Sequence, residues 1–389
     1  MPEPSRRLRL LVVSDEMEVG GTQRQITRML LGLDRGAFEP TLLYFRERSF
    51  FVDQLEAAGI RVVRIDKRSR IDAGFFLRLR TFIASGGFEV MHCFSITAEL
   101  WGALARASIA PLQRPALLSS IRNTYDWEHP LRRRIKAWAA RRSWRVVANS
   151  DAGARGAVQA MNLAPQRLQV IYNGVDSEGG GMGDAAQLRE QLGIEAGAPV
   201  VLFVGRLVEH KDVPTLLRAC ACLRQRGLHL LLAGDGPLAE PLRAAIGQLG
   251  LATQAHMLGQ RDDTAALMRL SDMVVLPSVS EGLSNVIIEA MMQRLPVIAS
   301  RVGGNVELVR HEDTGLLFDA GDDAALADCI ARLIDDAPLR ARLGESAGQR
   351  AQRDFSVHAM VDAYSALYRD AAAARRTIAG ATLQATSSS

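Results

Sequence analysis

The chain of 389 residues holds only four cysteines, at positions 93, 220, 222 and 329. Their spacing matches neither a zinc site nor a disulfide framework, and Cys220 and Cys222 sit within a helical pattern as ordinary helix residues. Few cysteines and no signal peptide lead us to expect a reducing cytosol. No apolar run reaches the length of a membrane-spanning helix. The basic-then-apolar start, RRLRLLVVSD, reads as a first strand. Also absent are a P-loop, a GxGxxG dinucleotide fingerprint, a GxSxG elbow and an HExxH zinc motif. The acidic pairs Asp262-Asp263, Asp322-Asp323 and Asp335-Asp336 suit helix caps or solvated turns better than metal ligands.

What is present is ample apolar material, 48% of residues, in a length that favours two or three domains. The net charge of +4 is unevenly placed: residues 1–172 carry +11 and the remainder −7. A basic first half suits an anionic membrane or an anionic substrate, or is simply a solvated surface.

Short apolar runs alternate with helical patterns. The expected strands of the first half are Leu8–Val13, Thr41–Phe45, Arg61–Ile65, Glu89–Cys93, Ala116–Ile121, Arg145–Asn149 and Leu168–Ile171. The second half restarts with Val200–Val204, His229–Ala233, Ala255–Leu258, Met273–Leu276, Pro296–Ser300 and Gly315–Phe318. Such alternation predicts an α/β protein with doubly wound parallel sheets, in two similar domains. The expected boundaries are a first domain at 1–172, a glycine-rich linker at 173–183 and a second domain at 184–355. A closing helix follows at 356–375, then a disordered tail at 376–389.

Ligands of such sheets bind at the carboxyl ends of strands, so residues there are the candidates. Gly20-Gly21-Thr22 follows the first strand and opens a helix. Glycine there lets backbone approach a ligand and leaves N–H donors free, although a tight turn needs no more. His92 ends the fourth strand, where a ligand or catalytic role competes with a structural one. Arg122-Asn123 ends the fifth. Gly205-Arg206, with Lys211 five residues on, ends the first strand of the second half; two cations there can clamp a diphosphate. Gly234-Asp235-Gly236 ends the next strand. The stretch 131–145 is basic, with Leu131, Ile135 and Trp138 on one helical face, and suits either a headgroup interface or packing on its own sheet. The densest stretch is SVSEGLSNVIIEAMMQRLPVIASRVGGNVELV, from residue 278. Ser284 is a plausible N-cap, Glu281 lies in the loop before the helix and Glu289 inside it. Two carboxylates and helix-start N–H groups around one crevice suit a polyhydroxylated anionic ligand.

Taken together these motifs resemble the retaining glycosyltransferases of family 4, which have the GT-B fold of two Rossmann-like domains facing across a cleft. Glu281 and Glu289 look like the family's E-x7-E signature, followed by PVIAS-x-x-GG-x-x-E from Pro296 to Glu307. Gly205-Arg206 with Lys211, Gly234-Asp235-Gly236, Leu258-Gly259 and Asn173-Gly174-Val175-Asp176 match in the family's order. The resemblance implies that Arg206 and Lys211 neutralise the leaving nucleotide diphosphate, with no metal or other cofactor. It implies that Glu289 holds the ribose and that Glu281 acts at the donor sugar. Backbone from Gly282 through Leu283 and Ser284 to Asn285 would meet sugar and phosphates, Leu258 the base, and Gly20 and Gly21 the phosphates or acceptor. From their strand-end positions, His92, Arg122 and Asn123 are candidates for further acceptor or donor contacts. The implied partners are a UDP- or GDP-sugar and a glycan or lipid-linked acceptor; peripheral contact with an anionic membrane is an expectation from the basic stretch 131–145 alone, and nucleic acid is not among the partners. The implied place is the cytoplasm, at the inner face of the plasma membrane. A nucleotide-sugar epimerase and a catalytically silent binding module are the alternatives. Three departures stand out, one of them an unusually glycine-rich linker after Asp176. Many members carry a histidine where this chain has Arg122, and a small residue and glycine where it has Gln293-Arg294.

Overall fold

The structure, a computed structural model, describes residues 6–122, 129–176 and 185–387. The chain divides into two compact units: Met1–Gly174 together with Val357–Ser389, and Val175–Ser356.

The first unit holds a parallel sheet of β1 (Leu8–Val13), β2 (Phe38–Tyr44), β3 (Arg61–Arg64), β4 (Val90–Cys93), β5 (Ala116–Ile121), β6 (Arg145–Ala148) and β7 (Leu168–Val170). The strand order is β3-β2-β1-β4-β5-β6-β7. Alternate side chains of a strand point to opposite faces, and both faces here are covered. Leu8, Leu10 and Val12 pack with Met29, Leu30 and Tyr364, while Leu11 and Val13 pack with Phe75, Leu79 and Met91. That double burial is why these strands read as continuous apolar runs rather than as alternating ones.

The second unit repeats the plan with β8 (Val200–Val204), β9 (His229–Ala233), β10 (Ala255–Gly259), β11 (Met273–Leu276), β12 (Val297–Ser300) and β13 (Gly315–Phe318), ordered β10-β9-β8-β11-β12-β13. In each sheet the order reverses once, between β1 and β4 and between β8 and β11. Crevices outside the carboxyl ends of strands open at such reversals.

Two expectations are corrected. The tail from 376, expected to be disordered, is helical: the closing helix spans Val357–Ser387. Asn173 and Gly174, expected in a linker, belong to the first unit. Gly174 donates its N–H to Gln25 Oε1 at 2.9 Å, and its carbonyl accepts from Arg28 at 2.9 Å. Of the expected linker, residues 177–183 lie outside the described residues.

The closing helix completes the first unit's core. Tyr364, Leu367, Tyr368 and Ala371 are buried in it. Burying side chains of this size contributes about 1.5–3 kcal/mol each. Arg376 adds two hydrogen bonds to Glu89 Oε1, at 2.9 and 2.8 Å. Among the described residues no helix is long and apolar enough to cross a membrane.

Candidate functional site

In the second unit, loops from four strand ends meet backbone to backbone at the β8/β11 reversal. Gly205 follows β8 and Gly234 follows β9. A Cβ on Gly234 would lie 1.8 Å from the Gly205 carbonyl oxygen, and its φ of 145° already favours glycine. Gly303, after β12, has φ 45°, and a Cβ there would lie 1.9 Å from the carbonyl oxygen of Glu281. Backbone bonds knit the same loops: Leu207 N–H to Asp235 at 2.9 Å, Gly234 N–H to Gly259 at 2.7 Å, Gly304 N–H to Gly282 at 2.9 Å. The glycines therefore let these loops pack backbone against backbone.

Two candidate side chains meet there. Lys211, in the single turn Glu209–Lys211, forms an ion pair with Glu281 Oε1. Ser278 Oγ donates to the same oxygen at 2.7 Å. Behind Ser278, the buried Ser300 donates from its Oγ to the Ser278 carbonyl, and buried Asn305 Nδ2 donates to the Ser300 carbonyl at 3.1 Å. Sequence reasoning missed Ser278, Ser300 and Asn305 as supports. Their only signal was adjacency to the glutamate and the glycine pair. Arg206 is exposed at the rim.

Ser284 is the N-cap of the helix Asn285–Met292, its side chain accepting from the Ile287 N–H at a long 3.5 Å. Asn285 opens this helix, and the start of a helix favours negative charge. Gly282 and Leu283 lie in the loop before it, and half-buried Glu289 lies one turn in. Leu258 is half-buried on β10. At the helix end, Arg294 adopts the left-handed conformation, φ 55°. Its N–H donates to Met291 and that of Leu295 to Ala290, at 2.9 and 3.0 Å. This is the helix-terminating turn in which glycine is usual. Arg294 also pairs with Glu345 at 3.0 Å, and a Cβ on Gly344 would lie 2.1 Å from its carbonyl.

The first unit carries a separate pocket of 520 Å³ outside the carboxyl ends of β1, β4 and β5. Thr22 and Gln23, just after Gly20-Gly21, line it, and Gly21 is exposed there at the start of its helix. Six cationic side chains line it against two carboxylates, Asp15 and Glu16. The Glu16 carboxyl is pushed up in pKa, first by burial and then by Asp15. Sequence spacing gave no sign of this cluster, because Arg46, Lys67 and Arg132 come from three distant loops and helices.

His92 does not reach any such space. It is fully buried, with Nδ1 at 2.9 Å from Tyr368 Oη and Nε2 at 2.8 Å from Ser120 Oγ. Burial first, then the charges of Arg122 and Lys136, holds its pKa well below the usual imidazole value. Its place at a strand end was right, but the closing helix covers its side chain, so it is a neutral structural group and not a ligand contact. Arg122 is half-committed: it donates to Asn173 Oδ1 at 2.8 Å and to Tyr364 Oη at 2.7 Å, lies over Phe94, and lines the pocket. Asn123 lies outside the described residues. Beneath the pocket, Lys136 pairs with buried Glu99 at 2.5 Å, and Glu99 also accepts from the Ser120 N–H at 2.9 Å.

Comparison with known proteins bears on both units. The family model described as Glycosyltransferase Family 4 matches residues 19–178, and Glycosyl transferases group 1 matches residues 184–350. The chain is 31% identical over 323 residues to a D-inositol 3-phosphate glycosyltransferase of Saccharomonospora viridis, covering 77% of this chain and 74% of that protein. It is 30% identical over 204 residues to the N-acetyl-alpha-D-glucosaminyl L-malate synthase of Bacillus anthracis, covering 52% of this chain and 54% of that one. Several of these matches span only about half the length of the curated relative. Among solved structures, Anabaena Alr3699/HepE in complex with UDP superposes with a TM-score of 0.83 at 25% identity, covering 93% of this chain and 100% of that one. With two parallel-sheet α/β units, matching models over each half and a relative aligned over three quarters of its length, the chain belongs to glycosyltransferase family 4 and has the GT-B fold.

Proposed function

We propose that the chain is a retaining glycosyltransferase that moves a sugar from a nucleotide-diphosphate donor to a lipid-linked or envelope-glycan acceptor. The observation that carries this reading is the Lys211–Glu281 pair, set among glycine-tight loops at the strand-order reversal of the second unit. Arg206 and Lys211 draw off the charge that develops on the departing diphosphate, so the step needs no metal. Helix-start N–H groups from Ser284 and Asn285 share that load. Glu289 accepts from the ribose hydroxyls. Glu281 accepts from the donor sugar and stabilises positive charge at the anomeric carbon. The bond from anomeric carbon to phosphate oxygen breaks, and the acceptor oxygen bonds to the same face. The acceptor's proton leaves with the departing phosphate oxygen.

UDP is the favoured donor nucleotide, since a structural neighbour at 25% identity is described in complex with it. The basic helix Pro130–Arg142, with Leu131, Arg132, Arg133 and Arg134 exposed, supports contact with anionic lipid at the inner face of the plasma membrane. Incubation with UDP- and GDP-sugars, with and without lipid extract and with EDTA present, tests the reading. Donor-dependent nucleotide release with the anomeric configuration kept is expected. No release from any donor would sink it, and a sugar isomer formed without acceptor would point to an epimerase.

A further inference from the structure

The pocket of the first unit does not stand alone. Trp101 is shared between it and an adjoining groove lined by Ile71, Phe76 and Leu104. The two spaces differ sharply in chemistry. In the pocket, the deepest cation, Lys136, is already paired with Glu99, and Arg46 lies 3.3 Å from Asp15. Lys67 is different. Its ammonium donates to the carbonyls of Ser69 and Arg70 and sits 5.6 Å from the Trp101 ring centre, held by dipoles and a ring face rather than by a carboxylate. Burial and the neighbouring charge of Arg46 both disfavour its charged form. Arg70 is exposed, and it and Arg132 line the same pocket. Like charges gathered in a concave site suit an anion that carries more than one oxygen.

The groove is the reverse. It has a volume of 570 Å³, and among the described residues that line it Ser108 alone is polar apart from the Trp101 indole N–H. Ile71 is 85% exposed and Leu104 36%, and with Phe76 and Trp101 they make one contiguous apolar lining, the kind of patch that marks a binding groove. Ile71 follows Arg70 directly, so one chain segment supplies both a cation to the pocket and an apolar wall to the groove.

Resting on the transferase reading above, we infer that the acceptor is an amphiphile, its phosphate held by Arg46, Lys67, Arg70 and Arg132 and its hydrocarbon chain laid past Trp101 along Ile71, Phe76 and Leu104. A soluble anionic acceptor would use the pocket and leave the groove idle. A neutral lipid would use the groove and bring no charge to the pocket's cationic lining.

The test is binding to the full chain of three probes below their micelle concentrations, followed by tryptophan fluorescence and titration calorimetry. Decyl phosphate is expected to bind at least 10-fold tighter than either ethyl phosphate or decyl glucoside. Lys67→Ala with Arg70→Ala should weaken both phosphates about 10-fold or more. Ile71→Ser with Leu104→Ser should weaken decyl phosphate and leave ethyl phosphate unmoved. Equal affinity for the two phosphates would overturn the apolar half, and equal affinity for decyl glucoside and decyl phosphate the anionic half. Binding to anionic vesicles without binding to monomeric decyl phosphate would make this face a membrane contact instead, and would also overturn the inference. UDP affinity, measured on the same samples, separates this outcome from failure of the donor site, because none of the four substituted residues belongs to the second unit.

Discussion

Lys211 and Glu281 arrive from different strands, one after β8 and one after β11, and neutralise each other in the unliganded protein. In the proposed reaction a diphosphate takes over the lysine and the glutamate is released toward the sugar, so the proposal makes donor binding and the positioning of Glu281 one event.

This coupling fixes what mutation should do. Lys211→Ala and Glu281→Ala are each expected to cost at least about 2 kcal/mol of transition-state stabilisation, the scale of a lost charge-assisted contact. The double variant should lose less than the sum, because each single change already breaks the pair. Nucleotide-release kinetics measure all three; strict additivity, or near-normal turnover in either single variant, would refute the shared site.

Gly303→Ala should be more damaging than its size suggests. It adds a methyl group 1.9 Å from the Glu281 carbonyl oxygen, at a φ of 45°. Left-handed strain and overpacking together cost about 2 kcal/mol or more, and the loop that moves carries Glu281. Calorimetry with UDP should show affinity lowered at least 10-fold alongside a fallen Tm.

Glu99→Ala tests the buried pair beneath the pocket. It leaves the Lys136 ammonium without its carboxylate in a site where both side chains are almost wholly buried. Loss of one partner of such a pair costs about 3–5 kcal/mol, readable by urea denaturation. Replacing both residues together, Glu99→Leu with Lys136→Met, should recover much of that loss.

His92 sets an acid limit on stability. In the unfolded chain it takes a proton near pH 6.5, while in the fold its pKa lies well below that. Below about pH 6.5 the unfolded state therefore binds the extra proton, and stability falls as pH drops, by up to about 1.4 kcal/mol per unit for this group. His229 and His256, 3.0 Å apart and also lowered in pKa by burial, act in the same direction. Urea midpoints from pH 7.5 to 5 should decline, and His92→Gln should flatten part of that slope.

The strands were readable because parallel sheets covered on both faces leave long apolar runs, as Leu10 to Val13 and Val200 to Phe203 do. Lys211 and Glu281 were readable as candidates from their positions at strand ends, but not as partners, since no spacing encodes a contact between separate loops. The true place of His92 depends on Tyr368, which only the folded closing helix brings near. Arg294 was visible as an oddity where glycine is usual, and its left-handed φ of 55° now explains it: the turn is kept and the arginine bears the strain. Lys67, Arg70 and Trp101 had no motif to betray them, because the cluster exists only where several elements converge.

The return of the chain at Val357 has a consequence for how the protein is made. The first unit's core needs Tyr364 and Tyr368, which the ribosome adds only after all of Val175–Ser356. At about 5–20 residues per second, the earlier segment waits roughly 10–40 s with an unfinished apolar face. The second unit is complete first, so the usual N-terminal-first order of folding is inverted, and the nascent first unit is the stretch for which a chaperone has most to shield.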